Sequence, residues 1–219
     1  MTGILHGQRV RSEFEVIGGT PLEPHFFAEP FIGIAASFTA SSAGPSLEGV
    51  RFWRALRTPD EAIWYPGKPM PGTGALRRIA NLAISRYAAA GLLTPGVPHE
   101  IWGDVVCFDG VTRDADGTGK LPDDAPHIDF VPPEVPCSAL FASNHGGTRA
   151  WRGEFTYVDN LQPAYPTEGM KQVTVQPGQF FFTKDVRTFM HGRAPSVDNS
   201  GRLLARMFLG VQPDHLVAR

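Results

Sequence analysis

His127 and Asp129 stand one residue apart in the stretch "DDAPHIDFVPP", and His191 opens "HGRAPSVDNSGRLLAR". On an extended segment, residues i and i+2 point to the same side, so an imidazole and a carboxylate at this spacing converge on one point. A third donor completes a metal site, and His191 is the candidate for it. Two histidines and one carboxylate form the facial set that leaves the remaining positions of a divalent iron open to small molecules. A lone His-x-Asp is common in surface loops. Its weight here comes from the order and kind of the residues that accompany it.

Arg202 and Arg206 are those companions. They lie four residues apart on "RLLARMFLG", an otherwise apolar stretch that reads as an interior strand. Period two places both on the same strand face. Such a strand has little use for two guanidinium groups unless an anion meets them, and the planar fork of arginine suits a carboxylate. Other residues of similar type read as ordinary structure. His145 precedes two glycines in a loop, and His6, His25, His99 and His215 have no partner pattern. Arg193 reads as a loop charge or structural ion pair, and Trp53, Trp64, Trp102 and Trp151 as core or pocket wall.

The elements that must position these residues are mostly strands. Gly 24 and Pro 20 make up about a fifth of the 219 residues, which favours strands and turns over a helical bundle. After Pro95, the segments "EIWGDVVCF", "VPCSALFAS", "EFTYV", "QVTVQ", "QFFFT" and "RLLARMFLG" follow one another between Gly, Pro and Asp turns, with no helical pattern between them. Before it, "TGALRRIANLAISRYAAAGLL" repeats apolar residues at helical spacing, with Thr73 placed to cap its start and Gly91 near its end. A shorter helix is expected around "LEGVRFWRAL". The expected fold is mainly β with α: a double-stranded β-helix (jelly roll, cupin-like) with N-terminal helices packed on one sheet. One domain is expected over 1–219, with a helical and irregular layer over 1–95 and the jelly-roll core over 96–212. "DGVTRDADGTG" lacks the ligand spacing of an EF-hand and reads as a hairpin excursion near the site.

The formal net charge of −2 provides no basic surface for nucleic acid or anionic membrane. No stretch has the length of a membrane span and no secretion signal is visible, so a cytoplasmic location is expected. Cys107 and Cys137 read as reduced core thiols.

The segment "MHGRAPSVDNSGRLLAR" resembles the C-terminal motif of Fe(II)- and 2-oxoglutarate-dependent oxygenases, in particular the taurine dioxygenase and clavaminate synthase-like branch. The chain supplies His191-Gly192-Arg193, Pro195, Asp198 and the pair Arg202 and Arg206, and "QPGQFFFTKDVRTFMHGR" resembles the family's approach to that histidine. The resemblance implies that His127, Asp129 and His191 hold Fe(II) and serve catalysis. It implies that Arg202, eleven residues after His191, pairs with the distal carboxylate of the cosubstrate 2-oxoglutarate. Thr148, in "NHGGTRAW", is a second candidate near that carboxylate. Arg206 is assigned to an acidic group of the substrate or cosubstrate.

The activity implied is hydroxylation, desaturation or cyclisation of a small acidic or amino-acid-like molecule, with dioxygen as co-reactant, in a setting such as natural-product biosynthesis. Phe130, Phe141 and Phe189 are expected to line the pocket. The match spans roughly 125–210, and the 64 residues from His127 to His191 leave out the long substrate-covering insert of that branch. Asp129 argues against a halogenase, which carries a small residue at that position. Two alternatives stand beside the oxygenase: a cupin-type metal enzyme that does not use 2-oxoglutarate, and a non-catalytic jelly-roll binding module.

Overall fold

Strand pairing joins strands from the first twenty residues to strands in the last third of the sequence. The computed structural model describes residues 7–19, 31–39, 46–55, 62–66, 73–108, 125–129, 138–143, 148–158, 165–193 and 202–210. The strands are β1 (Arg9–Ser12), β2 (Glu15–Gly18), β3 (Phe31–Thr39), β4 (Ser46–Ala55), β5 (Ala62–Pro66), β6 (Pro98–Phe108), β7 (Ala139–Ser143), β8 (Thr148–Thr156), β9 (Lys171–Thr174), β10 (Gln179–Thr183), β11 (His191–Arg193) and β12 (Arg202–Leu209). Helix α1 (Thr73–Ala89) lies between β5 and β6, and a single 3-10 turn (Val186–Thr188) precedes β11. The larger sheet runs β2-β10-β7-β12-β6-β3-β4-β5; the smaller runs β1-β8-β11, with β9 also paired to β8. The strand pairs are antiparallel in both sheets. The protein is thus mostly β with one described helix, in two antiparallel sheets consistent with a jelly-roll-like sandwich, as its sequence leads one to expect.

Strand β12 shows how alternation divides the molecule into layers. Ala205 and Met207 join the cluster built on Leu76, Ile79, Ala83, Ile84 and Tyr87 of α1. Leu204 and Phe208 belong instead to a second cluster with Phe14, Ala150, Phe181 and Phe189, which fills the space between the sheets. Helix α1 therefore covers the outer face of the larger sheet with a stripe spaced at 3.6 residues. Burying each such large side chain contributes roughly 1.5–3 kcal/mol. The Tyr87 hydroxyl lies 2.8 Å from the carbonyl oxygen of Met207 and 3.1 Å from that of Ser138, so its polar end is satisfied inside this layer. The helix stops where Gly91 takes a left-handed conformation (φ 70°) and the N–H of Leu92 donates to Tyr87 O at 3.0 Å.

Two expectations need correction. The helix expected around Leu47–Leu56 is strand β4, whose apolar spacing is produced by a bulge. Glu48 pairs with Ser37 and Arg51 with Ala35, so Gly49 and Val50 together face Ala36, and Gly49 adopts φ 55°. The extra residue puts Leu47 and Val50 three apart on one face, which imitates a helical repeat; Phe52 completes the buried face. In addition, the described part of the first 95 residues is not a helical and irregular layer. It supplies five strands, three of which (β3, β4 and β5) extend the larger sheet beyond β6, and α1 is its one described helix.

Several positions singled out in the sequence lie outside the described residues: His6, His25, 109–119, Phe130, Cys137, His145, Pro195, Asp198 and His215. The side chains of Trp53, Trp64, Cys107, Phe141, Arg193 and Arg202 do so as well. No described helix is long and apolar enough to cross a membrane.

Candidate metal centre

The two histidines are joined through their backbones. His127 N–H donates to His191 O at 2.8 Å and His191 N–H donates to His127 O at 2.9 Å, a hydrogen-bonded antiparallel pair. Residues facing each other in such a pair project to the same side of the sheet, and the two imidazole centroids are 4.5 Å apart. On its other edge β11 pairs with β8, with His191 opposite Ala150. Asp129 follows His127 at the two-residue interval that returns to the same side, and its Oδ1 lies 3.7 Å from His191 Nε2. One donor atom from each of His127, Asp129 and His191 falls within 4.8 Å of the others. The convergence expected from spacing is therefore present.

Each ring is turned so that Nε2 looks inward. His127 Nδ1 lies 2.8 Å from Ala125 O, and His191 Nδ1 lies 3.1 Å from Phe189 O. A carbonyl oxygen can only accept, so in both rings Nδ1 carries the hydrogen and Nε2 is the atom left to a metal. A metal-ligating histidine is oriented by this kind of bond. Phe189, fully buried, stacks on the His191 ring at 4.9 Å and 11° and shields one of its faces.

Charge follows the same design. Burial pushes the His191 imidazole down to about 4, against the opposing pull of the Asp129 carboxylate, so the ring is neutral at pH 7. Burial alone would raise the Asp129 carboxyl, with Asp104 pushing the same way. His191, Arg206 and His127 outweigh them and hold it below its ordinary value. A neutral His191 imidazole, a second imidazole with its Nε2 turned inward and one ionised carboxylate form a donor set that a divalent iron accepts. Octahedral neighbours bound at 2.1 Å stand about 3 Å apart, so a 3.7 Å separation is closed by a small inward movement.

The other candidates are placed as follows. Thr148 is buried on β8 opposite Arg193, two residues before the Ala150 that faces His191. Arg202 opens β12 opposite Phe108. Arg206 is held by Asp104: Nε and Nη2 donate to the two carboxylate oxygens at 3.0 and 2.7 Å. Asp104 was not anticipated. Its signal in the sequence is a single acid inside the apolar run "IWGDVVCF", where an interior strand needs a counter-charge. His99 Nε2 accepts from the backbone N–H of Thr94 at 3.1 Å, consistent with a structural role.

No family model matches the sequence, and no curated protein does. Among solved structures, the chain is similar to IDO from Bacillus thuringiensis (7% identity, TM-score 0.35, covering 84% of this chain and 78% of that one). It is similar to the Fe(II)/α-ketoglutarate-dependent dioxygenase TqaL (9%, TM-score 0.38, 86% and 68%). It is also similar to AviO1 from Streptomyces viridochromogenes Tue57 (17%, TM-score 0.39, 83% and 75%). With TM-scores below 0.5, these likenesses decide neither fold nor function.

Proposed function

We propose that this chain is an Fe(II)- and 2-oxoglutarate-dependent oxygenase acting on a small acidic or amino-acid-like molecule. The observation that carries this reading is the convergence of His127, Asp129 and His191, with both histidine Nδ1 atoms tied to carbonyl oxygens and both Nε2 atoms left to a metal. When bound, iron with 2-oxoglutarate and dioxygen would supply oxidation of a substrate C–H bond, the cosubstrate ending as succinate and carbon dioxide. The protein's own part is orientation and exclusion of water. His127, Asp129 and His191 would hold the metal. Phe189 keeps the His191 ring in its plane and dry on one side. Arg202 would take the distal carboxylate of 2-oxoglutarate, with Thr148 as a second polar candidate for it. A small-molecule substrate and dioxygen are the partners of this reading.

The test is an anaerobic titration of metal-free protein with Fe(II) and then 2-oxoglutarate, followed by the visible charge-transfer band of a chelated 2-oxo acid. The band is expected, and Arg202→Ala is expected to lose 2-oxoglutarate turnover while retaining iron. Iron binding without the band would point to a cupin-type metal enzyme instead. Absence of iron binding would sink the catalytic reading altogether.

A further inference from the structure

The peptide group between Phe189 and Met190 makes two hydrogen bonds with different tasks. Its carbonyl oxygen, on Phe189, accepts from His191 Nδ1 at 3.1 Å and so sets which ring nitrogen faces the metal centre. Its N–H, on Met190, donates to the hydroxyl oxygen of Ser12 at 3.1 Å. No described peptide bond is cis. A trans peptide group is planar, and its C=O and N–H point in opposite directions. Holding the N–H therefore fixes the direction of the C=O, and with it the bond that orients the His191 ring.

Ser12 is itself held in place. It is the last residue of β1, fully buried, and pairs with Gly153 of β8. Beyond it the chain crosses from the smaller sheet to the larger, where β2 pairs with β10. Both residues of the crossing are fastened: Glu13 O lies 3.2 Å from Thr183 Oγ1, and Phe14 O accepts from Arg152 Nη2 at 2.7 Å. The Phe14 ring meets Phe189 edge-on at 5.6 Å, and Phe189 is the ring stacked on His191. Met190 O accepts from Trp151 N–H at 3.0 Å. The two residues before His191 are thus gripped by the corner of residues 12–14 and by β8. The other histidine has no equivalent contact. His127 Nδ1 bonds the carbonyl of Ala125, whose peptide runs into Pro126 and carries no N–H.

We infer that Ser12 is a positioning residue for the metal centre, setting from 178 positions away the direction in which His191 presents Nε2. This rests on the reading of His191 as a metal ligand and deepens the proposed function. A buried N–H that loses its acceptor must turn toward another. The carbonyl on the same peptide turns with it, and the imidazole follows.

The test is metal binding by the metal-free protein, read by anaerobic calorimetry for Fe(II) and by the visible spectrum at saturating Co(II). The proteins compared are wild type, Ser12→Ala, His191→Ala and Leu76→Ala. Ser12→Ala is expected to bind Fe(II) about ten-fold more weakly, the lower end of what loss of a ligand's supporting bond costs. Its Co(II) spectrum should shift from that of wild type toward that of His191→Ala. Leu76→Ala, which loosens the layer under α1, should match wild type in both. A Ser12→Ala protein with wild-type affinity and spectrum overturns the inference. So does an equal loss in Leu76→Ala, which would mean that any loosening of the fold weakens the site.

Should Ser12→Ala fail to fold, Ser12→Cys decides, because sulfur is a weak acceptor on a side chain of similar shape. A loss of about three-fold or more with the same spectral shift supports the inference, and wild-type behaviour overturns it. If wild type binds metal but gives no charge-transfer band with 2-oxoglutarate, the oxygenase reading falls while these comparisons still decide the role of Ser12. If wild type binds no metal, both fall.

Discussion

Strand β12 has one face under α1 and one face toward the space between the sheets, and the two are built differently. Under the helix, Ala205 and Met207 meet Leu76, Ile79, Ala83 and Ile84, and the hydroxyl of Tyr87 is satisfied by backbone carbonyls. On the opposite face, Arg206 answers a buried acid from the neighbouring strand. Farther along that interior, two imidazoles and a carboxylate converge. The first face keeps its polar atoms turned to the backbone. The second holds side-chain charge and donor atoms in geometries that an apolar core has no need of. Apolar packing and paired charge are thus carried by alternate residues of the same strand, and substitutions on the two faces should separate cleanly.

The sharpest way to break this division is His191→Ala. It should lower Fe(II) affinity by about 1,000-fold or more, because one of the three proposed protein ligands is lost; calorimetric titration of the metal-free protein checks this, and retained affinity would remove His191 from the site. On the helix side, Leu76→Ala should cost about 3 kcal/mol in a denaturant melt, as expected for a fully buried side chain. Its metal affinity should match wild type; a metal defect of similar size would show that the two faces are coupled.

Acid tests the site face without substitution. The His191 imidazole titrates near 6.5 in the unfolded chain and near 4 in the folded one. Between those values the unfolded chain binds a proton that the folded chain does not. Its contribution is therefore complete above pH 6.5 and lost as pH falls through 4. Metal-free protein should lose about 3 kcal/mol across that window, seen as a falling melting temperature. His191→Ala should flatten that part of the profile. The smallest effect expected is Tyr87→Phe, which removes a buried hydroxyl and leaves acceptors short of a donor, at about 1 kcal/mol. A melt resolves this, and again the metal centre should not respond.

Legibility in the sequence follows the range of the interactions involved. Helix α1 could be read because its periodicity runs unbroken to a glycine that ends it. The pair His127 and Asp129 could be read because an i, i+2 relation is local, and His191 joined it through a motif written in consecutive residues. Strand β4 misled because its bulge shifts the face by one residue between Glu48 and Arg51, a change that only the partner strand reveals. Strands β1 and β2, four residues each, carry little pattern of their own and exist because β8 and β10 pair with them. Asp104 was invisible as a partner for Arg206 because the two are 102 positions apart. Nothing short of the β6–β12 register connects them.

The bond from each histidine Nδ1 to a carbonyl two residues upstream makes the orientation of the ligands a property of two short peptides, 125–127 and 189–191. Descendants of this gene could therefore exchange the surrounding wall while each histidine tripeptide, the second together with Ser12, is inherited as an aligned unit.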